Sequence, residues 1–222
     1  MRIYIHFKYV NELNKKLKFK MNLVKLNLKK YNLEMVSELI YETDKNLFGT
    51  FLDKNRTPAI KKLKKLIIGG KNSYGHEQVY IGEDNKRKIM GILVAFKGDE
   101  IKCFEETKAY WNAMNFPNFL KLTLVKPIYD KITASSIDNN DLYIGNLVVS
   151  NDLRGQGIGT ELLKSSFILG KAKKCNRVLL DVTFENDSAK RLYEKTGFKV
   201  CGENASYGLV SLQEPTVWNI RK

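Results

Sequence analysis

A glycine-rich segment constrains this chain more than any other feature of its sequence. It reads Arg154-Gly155-Gln156-Gly157-Ile158-Gly159-Thr160, after an apolar run at 142–149 and before a helical pattern that begins near Leu162. Glycine lets a backbone approach an anion closely because no Cβ intervenes, and a helix N-terminus presents free N–H groups. The order of strand, glycine turn and helix therefore predicts a phosphate-binding site.

Two common phosphate-binding motifs fit this segment poorly. A dinucleotide-binding fingerprint would have its third glycine at the position of Thr160, and it normally opens its fold, whereas this segment comes late in the chain. Asp181 nearly meets the acidic position that this motif requires. A P-loop needs a lysine followed by serine or threonine after the glycines, and none stands in register. A phosphate-binding segment of a different kind is therefore favoured.

The composition narrows the functions to be considered. The 222 residues are 43% apolar and 28% charged, which is typical of a soluble globular protein. The net charge is +14, but the lysines are scattered, so we expect solvated lysine faces and no specific nucleic-acid partner. Three cysteines without a CxxC pair and two histidines predict no disulfide framework and no metal. Without a run of about 18 apolar residues we expect no membrane span, and a cytoplasmic location.

Strands and helices alternate along the chain, which indicates a sheet domain of the α/β or α+β class. We expect one domain over residues 21–222, with a helical insertion at about 100–140. Residues 1–20 would form an N-terminal extension, and Met21 is a candidate translation start; within the extension, Ile3 and Ile5 begin an alternating, strand-like pattern. Predicted helices begin near 33, 57 (with Thr57 as N-cap), 104, 117 and 188, and a further helix follows the glycine-rich segment and runs to about 174. Predicted strands cover 78–82, 88–96, 142–149, 177–184, 198–202 and part of 207–220.

Two segments resemble motifs of the GNAT superfamily, the acyl-CoA-dependent N-acyltransferases. Arg154-x-x-Gly157-x-Gly159, directly after a strand, is similar to the pyrophosphate loop of the family. The segment 186–198 resembles its later motif, Asn-x-x-Ala-x-x-Leu-Tyr-x-x-x-Gly-Phe. The close resemblance covers about residues 141–203. It implies a central mixed, mostly antiparallel sheet that is splayed between its fourth and fifth strands, with helices on both faces and acetyl-CoA bound in the splay.

The resemblance also implies which residues bind acetyl-CoA, the acyl donor. Backbone groups of Leu147 and Val149 would pair with the pantetheine arm, and the backbone N–H near Leu147 and Val148 would support an oxyanion. Asn186 would bond to the pantetheine arm. The N–H groups of the glycine-rich segment would hold the pyrophosphate, namely those of Arg154, Gly155, Gln156, Gly157, Ile158, Gly159 and Thr160. The chain departs from the family at Asn151, where proline is frequent.

Two residues are implied in catalysis. Tyr193 matches the family tyrosine near the CoA sulfur, where a phenol can protonate the departing thiolate. Asp181 matches a glutamate that acts as the base in members that acetylate protein N-termini; it is shorter, so a water relay is expected, with a purely structural carboxylate as the alternative. Asn146, Tyr143 and Glu185 are weaker candidates for positioning water or substrate.

These roles favour an N-acetyltransferase that moves an acetyl group from acetyl-CoA to a primary amine by direct transfer in a ternary complex. No cysteine lies in a nucleophile motif, which argues against a covalent acyl-enzyme. The acceptor would be a small molecule or a protein amine, and a homodimer is possible. The alternatives are a non-catalytic acyl-CoA-binding regulatory domain and a basic nucleic-acid-binding protein. The substrate pocket could be lined, unless they pack in the core, by Tyr41, Glu42, Phe48, Tyr110, Trp111, Tyr207 and Trp218.

Overall fold

A computed structural model describes residues 1–6, 21–133, 137–183 and 185–202 of the chain. Within these ranges seven strands form a single sheet in the order β2-β3-β4-β5-β6-β1-β7. The strands are β1 (Arg2–His6), β2 (Asn22–Lys25), β3 (Val79–Glu83), β4 (Ile89–Lys97), β5 (Asp141–Val149), β6 (Arg177–Asp181) and β7 (Lys199–Gly202). The helices are α1 (Leu33–Tyr41), α2 (Lys45–Phe51), α3 (Arg56–Gly69), α4 (Cys103–Ala113), α5 (Phe116–Thr133), α6 (Ile158–Ala172) and α7 (Asp187–Lys195).

The sheet is mixed and mostly antiparallel, as predicted. Only the β5–β6 pair is parallel among the described strands. Helices α1 and α3 pack on one face, against a core that includes Ile92 and Val148, and α6 packs on the other face through Leu163 and Phe167. The predicted α+β fold with helices on both faces is therefore confirmed.

Strands β5 and β6 separate partway along their length. Their pairing ends at Ile144 and Leu180, yet β5 continues to Val149. Across the sheet, Val94 pairs with Asn146 whereas Ala95 pairs with Ile144, so Gly145 is the extra residue of a bulge. A bulge increases the local twist, and here it lies one residue beyond the last β5–β6 pair. This is the predicted splay, between the fourth and fifth strands when counting starts at β2.

Most predicted elements are found within a few residues of their predicted bounds, and the exceptions have local causes. Helix α2 was not predicted; it is short, and Asp44 caps it by accepting a hydrogen bond from the Leu47 N–H at 2.8 Å. The prediction of Thr57 as an N-cap is wrong, because α3 already begins at Arg56. Pro58 then occupies the third helical position, where an N–H would have no intrahelical partner anyway. The strand predicted at 177–184 ends at Asp181.

Strand β1 lies inside the sheet, between β6 and β7, and runs antiparallel to both. Its side chains Ile3 and Ile5 are each only 3% exposed and belong to the core beneath α6. The described part of the N-terminal segment therefore contributes to the fold. Residues 7–20 lie outside the described part of the chain, and the boundary at Met21 stays a prediction.

Helices α4 and α5 occupy the predicted insertion between β4 and β5. Helix α4 contacts α3, and α5 contacts α2, with the Asn118 side-chain amide donating to the Leu52 carbonyl. The strand predicted within 207–220 lies outside the described residues. In the part of the chain that the structure covers, no helix combines the length and apolar character needed to cross a bilayer.

The burial of β1 leads to a stability prediction. Replacing Ile3 with alanine leaves a cavity in the core, so we expect the free energy of unfolding to fall by about 2–5 kcal/mol. Ile168→Ala is the matched control, because Ile168 is 59% exposed on α6 and should change stability by less than about 0.5 kcal/mol. Urea denaturation followed by circular dichroism measures both. Equal effects of the two substitutions would contradict the position of β1 in the core.

Candidate active site

Beyond the splay, β5 presents backbone groups toward its open side. The Ser150 N–H donates to the Met90 carbonyl at 2.9 Å, which directs this residue toward β4. Because antiparallel pairs alternate, Val148 also faces β4, while the N–H and C=O of Leu147 and Val149 face away from it. Of the three β5 residues predicted to bind acetyl-CoA, Leu147 and Val149 thus have backbone groups without a strand partner among the described residues, although the Val149 carbonyl accepts a long hydrogen bond from the Arg154 side chain. The backbone of Val148 is committed to the pairing with β4.

The segment after β5 forms a tight turn into α6. A short 3-10 helix covers Asn151–Leu153, and Gly155 and Gly157 then adopt positive φ angles of 75° and 89°. This left-handed conformation disfavours residues that carry a Cβ. Helix α6 begins at Ile158, and no side chain caps its N-terminus. Its first N–H groups and the positive end of its dipole are therefore suited to an anion.

The remaining residues of this turn hold its shape. Ile158 is 1% exposed and anchors the first turn of α6 in the core. A Cβ at Gly159 would stand 3.1 Å from the Leu192 side chain, so glycine there permits close packing of α6 on α7. The Gln156 amide donates to the Asp152 carbonyl at 3.2 Å. Arg154 is exposed, with Nε 3.4 Å from the Val149 carbonyl oxygen, so its charge can reach an anion at the same helix end.

Asn186 acts as the N-cap of α7. Its Oδ1 accepts hydrogen bonds from the Ala189 N–H at 3.1 Å and from the Ser188 hydroxyl at 3.0 Å. These two donors identify Oδ1 as the capping atom. The side-chain NH₂ group is therefore the part of Asn186 that can contact a pantetheine amide.

Tyr193 lies on α7, half-buried against the core under α6. Its ring centroid is 5.8 Å from that of Phe198. Burial raises the pKa of the Tyr193 phenol to about 12, so the hydroxyl carries its proton at neutral pH. Among the described residues, none forms a hydrogen bond with this hydroxyl. The phenol is thus a protonated donor that a ligand can use.

Asp181 ends β6 and is bound by two side chains. Arg2 donates from Nε to Oδ1 at 2.8 Å and from Nη2 to Oδ2 at 2.7 Å, and the Tyr143 hydroxyl donates to Oδ2 at 3.0 Å. Burial and the nearby Asp181 charge raise the pKa of Tyr143 well above its usual value, which keeps that hydroxyl a donor. The Asp181 side chain is still 32% exposed. Asp181 is therefore bonded to its neighbours, as expected of a purely structural carboxylate, but it is also accessible to solvent.

Asn146 follows the bulge and is buried, with 7% of its surface exposed. Its Nδ2 donates to the Thr43 hydroxyl at 2.6 Å, and this hydroxyl in turn donates to the Ile40 carbonyl at 2.6 Å. That chain of donors fixes the orientation of the amide. Asn146 Oδ1 accepts no hydrogen bond within the described part of the molecule, which leaves a buried acceptor near the splay. Glu185 is exposed in the turn before α7.

The residues considered as pocket lining differ in their surroundings. Tyr41 and Phe48 stack in the core at 5.9 Å and are at most 5% exposed, so packing is their role. Trp111 is 52% exposed on α4 and makes an edge contact with Phe119 at 4.9 Å. Burial raises the pKa of Tyr110 well above its usual value, in keeping with packing. Glu42 pairs with basic side chains, and Tyr207 and Trp218 lie outside the described residues.

No group of three or more histidine, cysteine, aspartate or glutamate side chains could hold a metal ion in the described ranges. The polar groups that the splay gathers are backbone amides, a helix N-terminus, two tyrosines, an aspartate and two asparagines. This set can bind an extended ligand with an anionic end, and it can donate or accept protons beside that ligand. These groups were all identified from sequence. Their partners Arg2, which bonds to Asp181, and Thr43, which bonds to Asn146, were not, because neither lies in a motif.

Comparisons with known proteins agree with this arrangement. The model of the Acetyltransferase (GNAT) family matches residues 67–198, more than half of the chain. N-alpha-acetyltransferase 30 of Schizosaccharomyces pombe is 34% identical over 56 residues, which are 25% of this chain and 37% of that protein. N-alpha-acetyltransferase 30 of Xenopus laevis is 39% identical over 56 residues, 25% of this chain and 20% of that protein. The chain spans less than half of the length of the curated relatives it matches.

A solved structure shares the fold over most of the chain. The crystal structure of an N-acetyltransferase from Staphylococcus aureus Mu50 superposes with a TM-score of 0.60 at 18% identity. The superposition covers 82% of this chain and 92% of that one. Together with the match to the family model, the splayed sheet and the glycine turn lead to one conclusion: this chain belongs to the GNAT acetyltransferase family.

Proposed function

We propose that this protein transfers an acetyl group from acetyl-CoA to a primary amine within a ternary complex. The observation that carries the proposal is the divergence of β5 from β6, which leaves the backbone edge of Leu147 and Val149 without a described strand partner, next to a helix N-terminus that no side chain caps. Acetyl-CoA needs both features together. Its pantetheine arm carries amides that pair with an extended backbone, and its pyrophosphate is an anion.

The donor would lie along the edge of β5 and end at the turn before α6. Leu147 and Val149 would bond the pantetheine amides, and the side-chain NH₂ of Asn186 would contact the same arm. The pyrophosphate oxygens would accept hydrogen bonds from the N–H groups of residues 155–160, and Arg154 would add a positive charge. Positive φ at Gly155 and Gly157 turns successive N–H groups toward one point, which suits an anion.

The acceptor would approach from the face of the sheet that carries Asp181 and Tyr143. Two relatives that align with 56 residues of this chain are named N-alpha-acetyltransferases, which favours the α-amine of a polypeptide as the acceptor. The exposed part of Asp181 is suited to a cationic amine, since a carboxylate attracts an ammonium group and can accept its proton. Asn146 Oδ1, a buried acceptor without a described donor, would hold a water near the reacting nitrogen.

The reaction requires two proton movements. The amine nitrogen forms a bond to the acetyl carbon while the bond from that carbon to sulfur breaks. Asp181 would accept the proton from the nitrogen, through a water, and Tyr193 would give its proton to the departing sulfur. The Leu147 N–H would donate to the acetyl oxygen as negative charge develops there. Solvent then returns the proton to the phenol.

Acetyl-CoA and a panel of peptides and small amines provide the direct test. We expect acetyl-CoA to raise the melting temperature, and mass spectrometry to find a product heavier by one acetyl group together with free CoA thiol. An absence of thermal stabilisation by acetyl-CoA would contradict the donor site. Stabilisation without any acetylated product across the panel would favour an acyl-CoA-binding protein without catalytic activity.

The glycine turn leads to a prediction about donor binding. Gly155→Ala forces a Cβ into left-handed backbone, which costs about 1–2 kcal/mol, so we expect a roughly tenfold higher Kd for acetyl-CoA. Gly49→Ala is the matched control: both glycines have open space where a Cβ would stand, but Gly49 lies in helical backbone. Isothermal titration calorimetry measures both. A normal Kd for Gly155→Ala would show that this turn does not hold the donor.

Tyr193 leads to a prediction about turnover and pH. We expect Tyr193→Phe to lower kcat by about 10²–10⁴-fold and to leave the Kd for acetyl-CoA unchanged, because only a proton donor is lost. Burial raises the Tyr193 pKa to about 12, above the usual value of 10.0. The phenol therefore stays protonated as pH rises through 10, and the loss of activity that depends on it begins only near pH 12. Steady-state kinetics of both proteins between pH 6 and about 11 provide the check. We expect no fall in rate at high pH that is present in the wild-type protein and absent from Tyr193→Phe.

A further inference from the structure

We propose that Arg2, on the N-terminal strand, is a positioning residue that orients the Asp181 carboxylate for proton transfer. The inference rests on the proposed function, in which Asp181 accepts the proton of the amine. Nothing in the sequence motifs points to Arg2, since it lies 179 residues from Asp181. The pairing of β1 with β6 sets Arg2 directly opposite Asp181.

Arg2 is held more firmly than a surface arginine. Its side chain is 8% exposed, and its guanidinium carbon lies 5.6 Å from the centre of the Tyr143 ring. It donates a hydrogen bond to each oxygen of Asp181, from Nε at 2.8 Å and from Nη2 at 2.7 Å. A planar guanidinium fixes a carboxylate in one plane, which a lysine cannot do. The rotation of Asp181 is thereby restricted.

The bonds to Arg2 and Tyr143 occupy most of the acceptor positions of the Asp181 carboxylate. A carboxylate offers about four lone-pair positions, two on each oxygen. Within the described residues, Oδ2 accepts from Arg2 Nη2 and from the Tyr143 hydroxyl, whereas Oδ1 accepts from Arg2 Nε alone. One position remains, and it is on Oδ1. Since the side chain is 32% exposed, that position is the one through which Asp181 can accept a proton from the amine or its water.

Arg2 thus acts through Asp181 rather than on the substrate. It selects the oxygen and the direction from which a proton can be accepted, and Tyr143 occupies the other oxygen. Positioning of this kind affects the rate of the chemical step, because a misplaced base acts only in a fraction of encounters. It leaves donor binding unaffected, since Arg2 lies on β1 and not on β5 or α6.

The test uses Arg2→Met, Arg2→Lys, Asp181→Asn and the double variant Arg2→Met with Asp181→Asn, in the full-length chain. Arg177→Met is the matched control, because Arg177 grips Asp141 with the same two nitrogens, at 2.7 and 3.0 Å, at the other end of β6. Each variant is checked by circular dichroism and by the Kd for acetyl-CoA. Kinetics are measured with the best acceptor of the wild-type protein, below the melting temperature of every variant.

We expect Arg2→Met to lower kcat roughly tenfold or more with the Kd for acetyl-CoA unchanged, and Arg2→Lys to recover part of the loss. Arg177→Met should lower thermal stability to a similar extent and leave kcat within about twofold. In the Asp181→Asn background, Arg2→Met should cause no further loss. An unchanged or increased kcat for Arg2→Met, or losses that multiply in the double variant, would overturn the proposal.

The same experiment separates this inference from the proposed function. If the wild-type protein acetylates no amine, the proposed function fails. If the wild-type protein is active and Asp181→Asn retains full kcat, the transferase activity stands and the role of Arg2 is refuted, because Asp181 is then not the base.

Discussion

The separation of β5 from β6 is the constraint on which the rest of this site depends. A parallel pair normally satisfies the backbone of both strands along their full length. Here the Gly145 bulge follows the last pair, at Ile144 and Leu180, and the N–H and C=O groups beyond it are left facing an opening. Backbone groups that are left unpaired away from water are costly unless something bonds to them. An extended ligand that pairs like a strand meets that requirement.

The two motifs of the chain meet across this opening. In the proposed site the turn before α6 would bind an anion, and α7 carries Tyr193, whose pKa is raised to about 12 by burial. Gly159 joins them, since its missing Cβ lets the first turn of α6 rest on Leu192, the neighbour of Tyr193. A ligand that displaces the start of α6 would therefore also press on the helix that carries Tyr193. In the proposed reaction, donor binding and proton donation would therefore depend on the same packed contact.

Much of this arrangement could be predicted from sequence, because its signals are local. The glycines at 155 and 157 indicate a turn, which the structure forms with positive φ at both residues, and the apolar run at 142–149 indicates a strand. Strand order is not local. That β1 inserts between β6 and β7, and that Arg2 meets Asp181, depends on contacts between the two ends of the chain. The fixed amide of Asn146 likewise depends on Thr43, over a hundred residues away. Helix α2 escaped prediction because seven residues give too short a periodic pattern.

The position of β1 also affects how the chain can fold during synthesis. This strand is made early, but its neighbours β6 and β7 lie at residues 177–202, so its backbone has no strand partner until most of the protein has left the ribosome. Contacts of such sequence separation form slowly, since a long loop must close first. Until then Ile3 and Ile5 are unprotected on a strand with two open edges, the kind of segment that holdase chaperones bind and that aggregates when it is left exposed.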